Sequence, residues 1–462
     1  MPRRRQRPRP PVNAPPFEPI EGALEITRLA HGGQGVGHLD GFAVFVPRTL
    51  PGDVVDVRLT ERRKRHAFAE LLALRQASPL RVPAPCPLYE HCGGCHLQHL
   101  GYDDQLANKA QQVRDCLTRI GKLPEVPVLP TLASPQPFAY RNKALYHYDA
   151  DSNALGLIER GKSAVLDVPQ CPIGDPRIDV VMARVRRLAG QEPALRRVLH
   201  QVQVQVGQRT GEVLVTVIVR GETPTRVQHQ LWESLRDLAT GLLMHRKAAT
   251  TPAVFDGVTT RLAGSAFIHE RIGDLRFQIE PEAFFQVNSA QTERLYGLVR
   301  AAARLRPDDV VFDLYSGCGS IALTLAPHCA VVHAVESNRQ ATLLAARQAA
   351  ALGIANCEFR TGKVERILYR YLAQGIRAHV AVLDPPRAGC RPQALEALAK
   401  MRVPRLVYVS CSPPTLARDL RLLADLGYRV ENVQPLDMFP QTYHIECLAT
   451  LTRVAAPGPD AD

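Results

Sequence analysis

Residues 310–325 read VVFDLYSGCGSIALTL, and this stretch decides the fold of the C-terminal half of the chain. The apolar run VVFDL predicts a buried strand, and IALTL predicts the helix that follows it. Gly317 and Gly319 lie in the turn between them. A glycine-rich turn at a helix N-terminus allows the backbone to approach a ligand closely. The stretch therefore predicts the beginning of an α/β domain that binds a nucleoside cofactor.

From about residue 290 onward, apolar strands alternate with helical stretches rich in Ala and Leu. The later strands are VVHAVE, HVAVLDPP, LVYVSCSP and CLATLTRV. This alternation is typical of a doubly wound, largely parallel sheet. Residues 286–462 are accordingly predicted to form a Rossmann-like α/β catalytic domain.

Acidic residues at the ends of these strands indicate which cofactor the domain binds. Glu336 follows Asp313 by twenty-three positions and can accept hydrogen bonds from both ribose hydroxyls of a nucleoside. Asp384 ends another strand at the same edge of the sheet. A nicotinamide-binding domain is the alternative, but it favours G-x-G-x-x-G, whereas the run here is GCGSIA. The shorter motif and its acidic neighbours favour a cationic sulfonium, S-adenosylmethionine.

Cys411 directly follows the strand LVYVS, at the sheet edge where the strands of Asp313 and Asp384 also end. Because C5 of a pyrimidine is a poor nucleophile toward a methyl group, an enzyme first adds a thiolate to C6. A base must then remove the C5 proton. Glu446 precedes the last strand, in a segment that also contains His444, and is the candidate base. An inert buried thiol and a solvated carboxylate are the alternatives for the two residues.

The N-terminal part of the chain has a different organisation. Residues 1–19 combine five arginines with seven prolines, a composition that predicts a disordered tail. About five short strands between glycine-rich turns predict an OB-like barrel for residues 20–77. Residues 78–285 are predicted to form a mixed, mostly antiparallel α+β domain. It contains two hairpins, QVQVQVGQRTGEVLVTVIVRG and IHERIGDLRFQIEP, and a helix at about 102–119, a candidate for packing on the catalytic domain.

Four cysteines have the spacing of a metal site. Cys86, Cys92 and Cys95 lie close together in the sequence, and Cys171 follows some seventy-six positions later. Four thiolates can bind zinc or a 4Fe-4S cluster. Four unrelated buried thiols are the third possibility.

The charge of the chain predicts a polyanionic partner. The net charge is +12 and the pI is about 9.3, which suits nucleic acid or an anionic membrane. The runs ERRKRH and YRNKALYHY mix cations with rings, so Arg63, Lys64, Arg141 and Lys143 are candidate RNA contacts. Solvated surface charge is the alternative. Because no apolar run follows the basic first residues, we expect neither a signal peptide nor a membrane span, and a cytoplasmic location.

Five motifs together resemble the bacterial RNA uracil-5-methyltransferases, in particular the 23S rRNA branch that has a TRAM domain and an iron-sulfur cluster. The motifs are FFQVN (284–288), DLYSGCGS (313–320), DPPRAG (384–389), VSCSPPTLARD (409–419) and LDMFPQTYHIE (436–446). The resemblance implies methylation of C5 of a specific uridine in 23S rRNA, with Cys411 as nucleophile and Glu446 as base. It also implies cofactor or active-site contacts for Gln286, Tyr315, Glu336 and Asp384.

The same resemblance favours a 4Fe-4S cluster over zinc at the four cysteines, and we expect a monomer. Two positions depart from the family pattern: Ser412 stands where S-C-N-P has Asn, and Lys363 stands where many related enzymes have an acid that contacts adenine. An RNA cytosine-5-methyltransferase would usually have a second cysteine near Pro385. An amino-group methyltransferase would have an aromatic residue in place of Arg387. A non-catalytic RNA-binding iron-sulfur protein would not need Cys411.

Overall fold

The computed structural model describes residues 19–39, 41–248 and 253–454. The predicted basic tail, apart from its last residue, lies outside the described residues. The described chain separates into two compact units. One extends to residue 83 and includes residues 99–101, and the other comprises residues 84–98 and everything from residue 102.

The first unit is a closed barrel of five strands in the order β1-β2-β3-β5-β4. Its strands are β1 (Pro19–Leu29), β2 (Gln34–Leu39), β3 (Phe42–Pro47), β4 (Val54–Arg62) and β5 (His66–Gln76). Alternate residues such as Val44, Val46, Val55 and Val57 point inward and form the core. The prediction of a small OB-like barrel is confirmed.

The second unit contains a seven-stranded sheet in the order β12-β11-β10-β9-β6-β7-β8. Its strands are β6 (Lys143–Asp149), β7 (Ala154–Ile158), β8 (Val165–Asp167), β9 (Leu199–Val206), β10 (Val213–Val219), β11 (Gly241–Arg246) and β12 (Val258–Gly264). Strands β10 and β11 pair in parallel, and the other five neighbouring pairs are antiparallel. The first predicted hairpin is β9–β10. The second is formed by β13 (Ile268–Ile272) and β14 (Leu275–Ile279).

Four helices accompany this region. They are α1 (Tyr102–Cys116), which continues as a π-helical turn over Leu117–Gly121, α2 (Pro176–Gln191), α3 (Pro193–Val198) and α4 (Thr225–Leu235). The start of α2 shows why a helix begins there. The Asp175 side chain accepts a hydrogen bond from the backbone N–H of Arg177 at 3.1 Å, and Pro176 occupies the first helical position.

The rest of the second unit is a doubly wound α/β fold with strand order β17-β16-β15-β18-β19-β21-β20. Its strands are β15 (Val310–Leu314), β16 (Val331–Glu336), β17 (Cys357–Thr361), β18 (Val380–Leu383), β19 (Arg405–Ser410), β20 (Tyr428–Leu436) and β21 (Glu446–Arg453). Its helices are α5 (Ser289–Ala303), α6 (Ser320–Leu325), α7 (Arg339–Ala351), α8 (Val364–Ala373), α9 (Pro392–Lys400) and α10 (Pro413–Asp425), and a 3₁₀ turn covers Ala326–His328.

The predicted α/β fold is confirmed, and the structure adds two strands. Strand β21 is antiparallel to both of its neighbours. The additional strands, β17 and β20, lie at the two edges of the sheet. Their sequences, CEFRT and YRVENVQPL, mix polar and apolar residues, because an edge strand is less covered than a central one.

The predicted boundary near residue 286 does not separate two cores. Leu214 of β10 and Leu243 of β11 belong to the same buried cluster as Leu295 of α5 and Val311 of β15. Helix α1 packs against α10 of the α/β fold. Residue 286 therefore marks a change of architecture within one compact unit. In the parts of the chain that the structure describes, no helix combines the length and apolarity that a membrane crossing requires.

Candidate active site

A cavity of about 1360 Å³ lies at the edge of the α/β sheet where its parallel strands end. Seven of the eight residues predicted to contact the cofactor or to act in catalysis line it: Gln286, Tyr315, Gly317, Glu336, Asp384, Cys411 and Glu446. The topology explains this convergence, because parallel strands present their carboxyl ends at one edge of a sheet. The eighth residue, Asp313, has a different position.

The turn after β15 requires its two glycines. Gly317 has φ 55° and Gly319 has φ 81°, in the left-handed region that glycine adopts easily. A Cβ at residue 319 would lie 2.9 Å from the Cβ of Ala345, so any larger residue would force the packing apart. The backbone N–H of Gly317 donates to Oε2 of Glu336 at 3.1 Å.

Glu336 is held in place at the end of β16. Its Oε1 accepts hydrogen bonds from Oγ of Ser337 at 3.0 Å and from the N–H of Asn338 at 2.7 Å. Glu336 remains partly accessible and lines the cavity. The carboxylate is thus preorganised at the wall, which is what recognition of a ribose diol requires.

Asp313 lies behind this wall and is fully buried. Its Oδ2 accepts a hydrogen bond from the N–H of Ala322 at 2.9 Å, in the first turn of α6. Burial, together with the nearby Asp384 and Glu336, raises the pKa of this carboxyl to about 7. Within the described residues Oδ1 of Asp313 has no hydrogen-bond partner. The side chain supports the turn and adds acidic character beneath the cavity.

Strand pairing brings Cys411 and Glu446 together. Ser410, the last residue of β19, is paired with Cys447 of the antiparallel strand β21. Cys411 and Glu446 therefore emerge at the same end of adjacent strands, and both line the cavity. Glu446 is only 2% exposed, which contradicts the alternative of a solvated carboxylate. Cys411 is half-buried, so it does not lie in the core.

The surroundings raise the pKa of both groups. Burial raises the pKa of the Cys411 thiol to about 11, and Glu446 and Asp384 add to the increase. Burial, and then Asp384, also raises the pKa of Glu446. Burial raises the pKa of Asp384 to about 6. The cavity thus holds two carboxyl groups with raised proton affinity beside a thiol.

Arg387 is a site residue that sequence reasoning did not assign. Its guanidinium lies beside the Cys411 thiol and lowers the pKa of that thiol, opposing burial. Nη2 of Arg387 lies 3.5 Å from Nδ1 of His444, and Arg387 lines the cavity. Its position directly after Asp384-Pro-Pro was the available signal, because Asp384 already marked that sheet edge.

Phe284 and Glu365 are among the cavity residues that were not assigned from the sequence, and both departures from the family pattern, Lys363 and Ser412, can be located. Phe284 lines the cavity with 73% of its surface exposed. Lys363 lines the cavity, and Glu365, two positions later, also lines it, 3.5 Å from Nε of Arg391. The backbone N–H of Ser412 donates to Oγ of Ser410 at 3.2 Å, and its side chain makes no helix-capping bond to α10.

The four predicted metal-binding cysteines converge in the second unit. Cys95 is buried, and Cys86, Cys92 and Cys171 are half-buried. Burial raises the pKa of the Cys95 thiol to about 12, and the thiols of the other three add to the increase. In the ranges that the structure describes, no group of three or more His, Cys, Asp or Glu side chains is arranged to hold a metal ion. The four thiols therefore lie close together in the fold.

The candidate RNA contacts differ in accessibility. Nζ of Lys143 lies 3.4 Å from the carbonyl oxygen of Pro281, and burial, with Arg141 adding to it, lowers the pKa of Lys143 to about 8. Nε of Arg141 donates to the carbonyl of Lys143 at 3.0 Å. Lys64 is exposed on the barrel. Arg63 is exposed beside it, 2.7 Å from Glu61 and 5.3 Å from the ring centre of Phe68.

Comparison with known proteins gives matches over nearly the whole chain. Residues 101–454 match the family model of tRNA (uracil-5-)-methyltransferases, and residues 23–72 match the TRAM domain. An uncharacterized RNA methyltransferase of Halalkalibacterium halodurans is 39% identical over 444 residues, covering 93% of this chain and 96% of that protein. One from Gloeobacter violaceus is 38% identical, with the same coverage.

A solved structure has a similar fold over most of the chain. It is the tRNA (uracil-54, C5)-methyltransferase of Pyrococcus abyssi in complex with S-adenosyl-L-homocysteine. The TM-score is 0.77 at 28% identity, and the match covers 93% of this chain and 99% of the Pyrococcus chain. The chain therefore belongs to the family of S-adenosylmethionine-dependent RNA (uracil-5-)-methyltransferases, and it carries a TRAM domain together with the class I methyltransferase fold.

Proposed function

We propose that this enzyme methylates C5 of a specific uridine in 23S rRNA, with Cys411 as the nucleophile and Glu446 as the base. The observation that carries the proposal is the pairing of β19 with β21, which brings the thiol and the buried carboxylate to one end of the cavity. The proposed enzyme is a cytoplasmic monomer.

The cofactor side of the cavity fits S-adenosylmethionine. The fixed carboxylate of Glu336 suits a ribose diol, and the acidic groups Asp384 and Asp313 suit a cationic sulfonium. The volume of about 1360 Å³ exceeds the roughly 300–1,000 Å³ of an ordinary ligand pocket, which leaves room for a nucleoside cofactor and a target base together. We assign Gln286, Tyr315 and Gly317 to the same wall.

The chemistry follows from the residues around the base. When bound, S-adenosylmethionine supplies an electrophilic methyl group. The Sγ of Cys411, as thiolate, adds to C6 of uracil, and the electron pair that this places on C5 forms the bond to the methyl carbon. The bond between that carbon and the sulfonium sulfur breaks at the same time, and its electron pair leaves with S-adenosylhomocysteine. Glu446 then accepts the C5 proton, the C5–C6 double bond re-forms, and the thiolate leaves. The raised pKa of Glu446 makes its carboxylate a stronger proton acceptor than an exposed glutamate.

RNA must deliver a single accessible base to this site. A uridine inside a helix cannot reach Cys411, so the target lies in a loop or is flipped out of its stack. Arg63 and Lys64 of the TRAM barrel are proposed phosphate contacts. Arg141 and Lys143 are proposed to support the wall that receives the base, since Lys143 lies against Pro281, which lines the cavity. A tRNA substrate is the second candidate, favoured by the similarity to the Pyrococcus enzyme.

We further propose that Cys86, Cys92, Cys95 and Cys171 hold a 4Fe-4S cluster. Four thiolates bound to one zinc at about 2.3 Å lie only about 3.8 Å from each other. A cubane places four irons and four sulfides between its ligands, so the thiols stand farther apart. The convergence of the four cysteines, each of the other three raising the pKa of Cys95, supports a site that all four share.

The test uses the purified, cluster-loaded protein with labelled S-adenosylmethionine and two transcripts, 23S rRNA and a tRNA. We expect 5-methyluridine in the 23S transcript by nucleoside mass spectrometry, and none with Cys411→Ala. Glu446→Gln is expected to form the covalent RNA adduct and to release product at least about 100-fold more slowly. Cys357→Ala, which changes a thiol outside the cavity, serves as the control and should retain activity.

Each other outcome has a definite meaning. Methylation of the tRNA alone would replace the rRNA assignment by the second candidate. Formation of 5-methylcytidine would overturn the assignment of the base. Full activity of Cys411→Ala would overturn the nucleophile.

A further inference from the structure

The loop between β20 and β21, residues 437–445, is held by contacts from distant parts of the chain. Glu446 directly follows this loop and pairs with Leu436 at the other end of it, so strand pairing sets the place of the carboxylate and the loop supports it from one side. The backbone of the loop is not free to adjust: Gln441 is 3% exposed and has φ 67°, a left-handed conformation that is unfavourable for a residue with a side chain. Such a conformation persists only where neighbouring groups enforce it.

The first set of contacts comes from His96 and Leu97, which directly follow Cys95. The backbone N–H groups of His96 and Leu97 both donate to the carbonyl oxygen of Gln441, at 2.9 Å and 3.0 Å. The His96 ring packs edge-on against Tyr443, with ring centres 4.6 Å apart. This segment is itself fixed, because Nη2 of Arg160 donates to the carbonyl oxygens of Cys92 and Cys95.

The second set comes from Gln105 of α1, which is almost fully buried. Its Nε2 donates to Oε1 of Gln441 at 3.0 Å and to the carbonyl oxygen of Leu97 at 3.0 Å. Its Oε1 accepts the backbone N–H of Gln441 at 3.2 Å. One side chain therefore bridges the segment after Cys95 and both the side chain and backbone of Gln441.

Three other residues complete the support of the loop. Nζ of Lys109 donates to Oδ1 of Asp437 at 2.5 Å and to the carbonyl oxygen of Phe439 at 3.3 Å. The Tyr140 hydroxyl donates to the carbonyl oxygen of Pro440 at 3.0 Å, and Nδ2 of Asn288 donates to that of Met438 at 3.2 Å. Gln105 is the best residue to test, since it is neutral and binds the strained position itself.

We propose that Gln105 is a positioning residue for proton removal: with the backbone of His96 and Leu97 it fixes Gln441 and thereby aims Glu446 at the C5 proton. The inference rests on the proposed role of Glu446. It gives the segment after Cys95 a function in the second half of the reaction. Cys411 itself follows β19, and the loop reaches its thiol only indirectly, through the contact of His444 with Arg387.

The experiment separates the two halves of the reaction. Gln105→Met removes the hydrogen bonds while keeping a side chain of similar length, and Gln111→Met makes the same change on the exposed face of α1. Each protein receives 23S rRNA transcript made with uridine and, separately, with 5-fluorouridine. Fluorine at C5 cannot be removed as a proton, so the methylated adduct remains attached to the protein and can be counted on a denaturing gel.

With 5-fluorouridine RNA we expect adduct formation by Gln105→Met within about twofold of the unchanged enzyme. With ordinary RNA we expect release of 5-methyluridine to fall by about tenfold and the covalent adduct to accumulate, because a base displaced by a fraction of an ångström transfers protons slowly. Hydrogen exchange of the peptide 437–446 should be faster than in Gln111→Met.

Three results would overturn the inference. One is unchanged release by Gln105→Met together with faster exchange of the loop. Another is a parallel loss of trapping and release, which would indicate a general loss of structure. The third is slow release without accumulated adduct. If the unchanged enzyme fails to form the 5-fluorouridine adduct, the proposed function fails instead, and the two failures are thereby distinguished.

Discussion

Burial and the Arg387 guanidinium have opposite effects on the pKa of the Cys411 thiol. Burial and two carboxyl groups favour the neutral thiol, and Arg387 favours the thiolate. Because the pKa of Cys411 is about 11, the thiolate is a minor form at neutral pH. At pH values below that pKa, the thiolate fraction rises about tenfold for each unit by which the pH increases.

Formation of the covalent adduct is therefore predicted to accelerate with pH. Between pH 7 and 9 the single-turnover rate should rise by up to about tenfold per unit. Arg387→Gln removes the cation, raises the pKa of Cys411 and should lower the rate at pH 8 several-fold. The measurement is adduct formation on 5-fluorouridine RNA after a pH jump, with Arg366→Gln, an exposed position, as control. A pH-independent rate in the unchanged enzyme would contradict the prediction.

Helix α1 buries several polar side chains, whereas the buried face of a helix is usually apolar. The face that it buries includes Gln105, Lys109 and Gln112, spaced three and four residues apart. An apolar face would leave the carbonyl and carboxylate groups of the 437–445 loop without partners, at a cost in free energy. The helix therefore packs on this loop through polar side chains. The Lys109 and Asp437 side chains are both fully buried.

Breaking this ion pair on one side is predicted to destabilise the second unit strongly. Lys109→Met leaves the Asp437 carboxylate buried without its cation and should lower the free energy of unfolding by about 3–5 kcal/mol. Combining it with Asp437→Leu should recover most of that loss, since neither charge then remains. Urea unfolding gives the measurement, with the exposed Arg114→Met as control. A double variant as unstable as Lys109→Met alone would show that the pair is not the cause.

Across the whole molecule, the excess of positive charge over negative charge is +12. Ion pairs neutralise part of this positive charge at the surface. The pair of Arg63 with Glu61 is an example. The exposed cations of the barrel stand near aromatic rings: Arg62 lies 4.5 Å from the ring centre of Phe42, and Arg63 lies over Phe68. Such a surface suits phosphates and unpaired bases.

The salt dependence of RNA affinity tests this surface. Arg63→Gln with Lys64→Gln should reduce the slope of log affinity against log salt by about 1.4, or roughly 0.7 for each lost phosphate contact on single-stranded RNA. The turnover rate at saturating RNA should not change, because these residues lie outside the catalytic fold. Filter binding between low and physiological salt gives the slope, and Arg236→Gln, directly after α4, is the control. An unchanged slope would remove both residues from the interface.

The sequence by itself determined the barrel, the two hairpins, the central α/β strands and the motifs at their ends. Local patterns suffice there, because strand periodicity and glycine turns are written in adjacent residues, and parallel strands bring their carboxyl ends to one edge. Cys411, Asp313 and Asp384 could therefore be assigned from the sequence to strands that end at one edge of the sheet.

Only the tertiary structure decided the rest. It showed that Asp313 lies behind the cavity wall, that Arg387 faces the thiol and that the two seven-stranded sheets of the second unit share a core. Lys109 and Asp437 are 328 residues apart, so no local pattern could reveal their pairing. Contacts of this kind form only when elements that are distant in the sequence pack against each other. The order of the elements along the chain does not show which side chains meet.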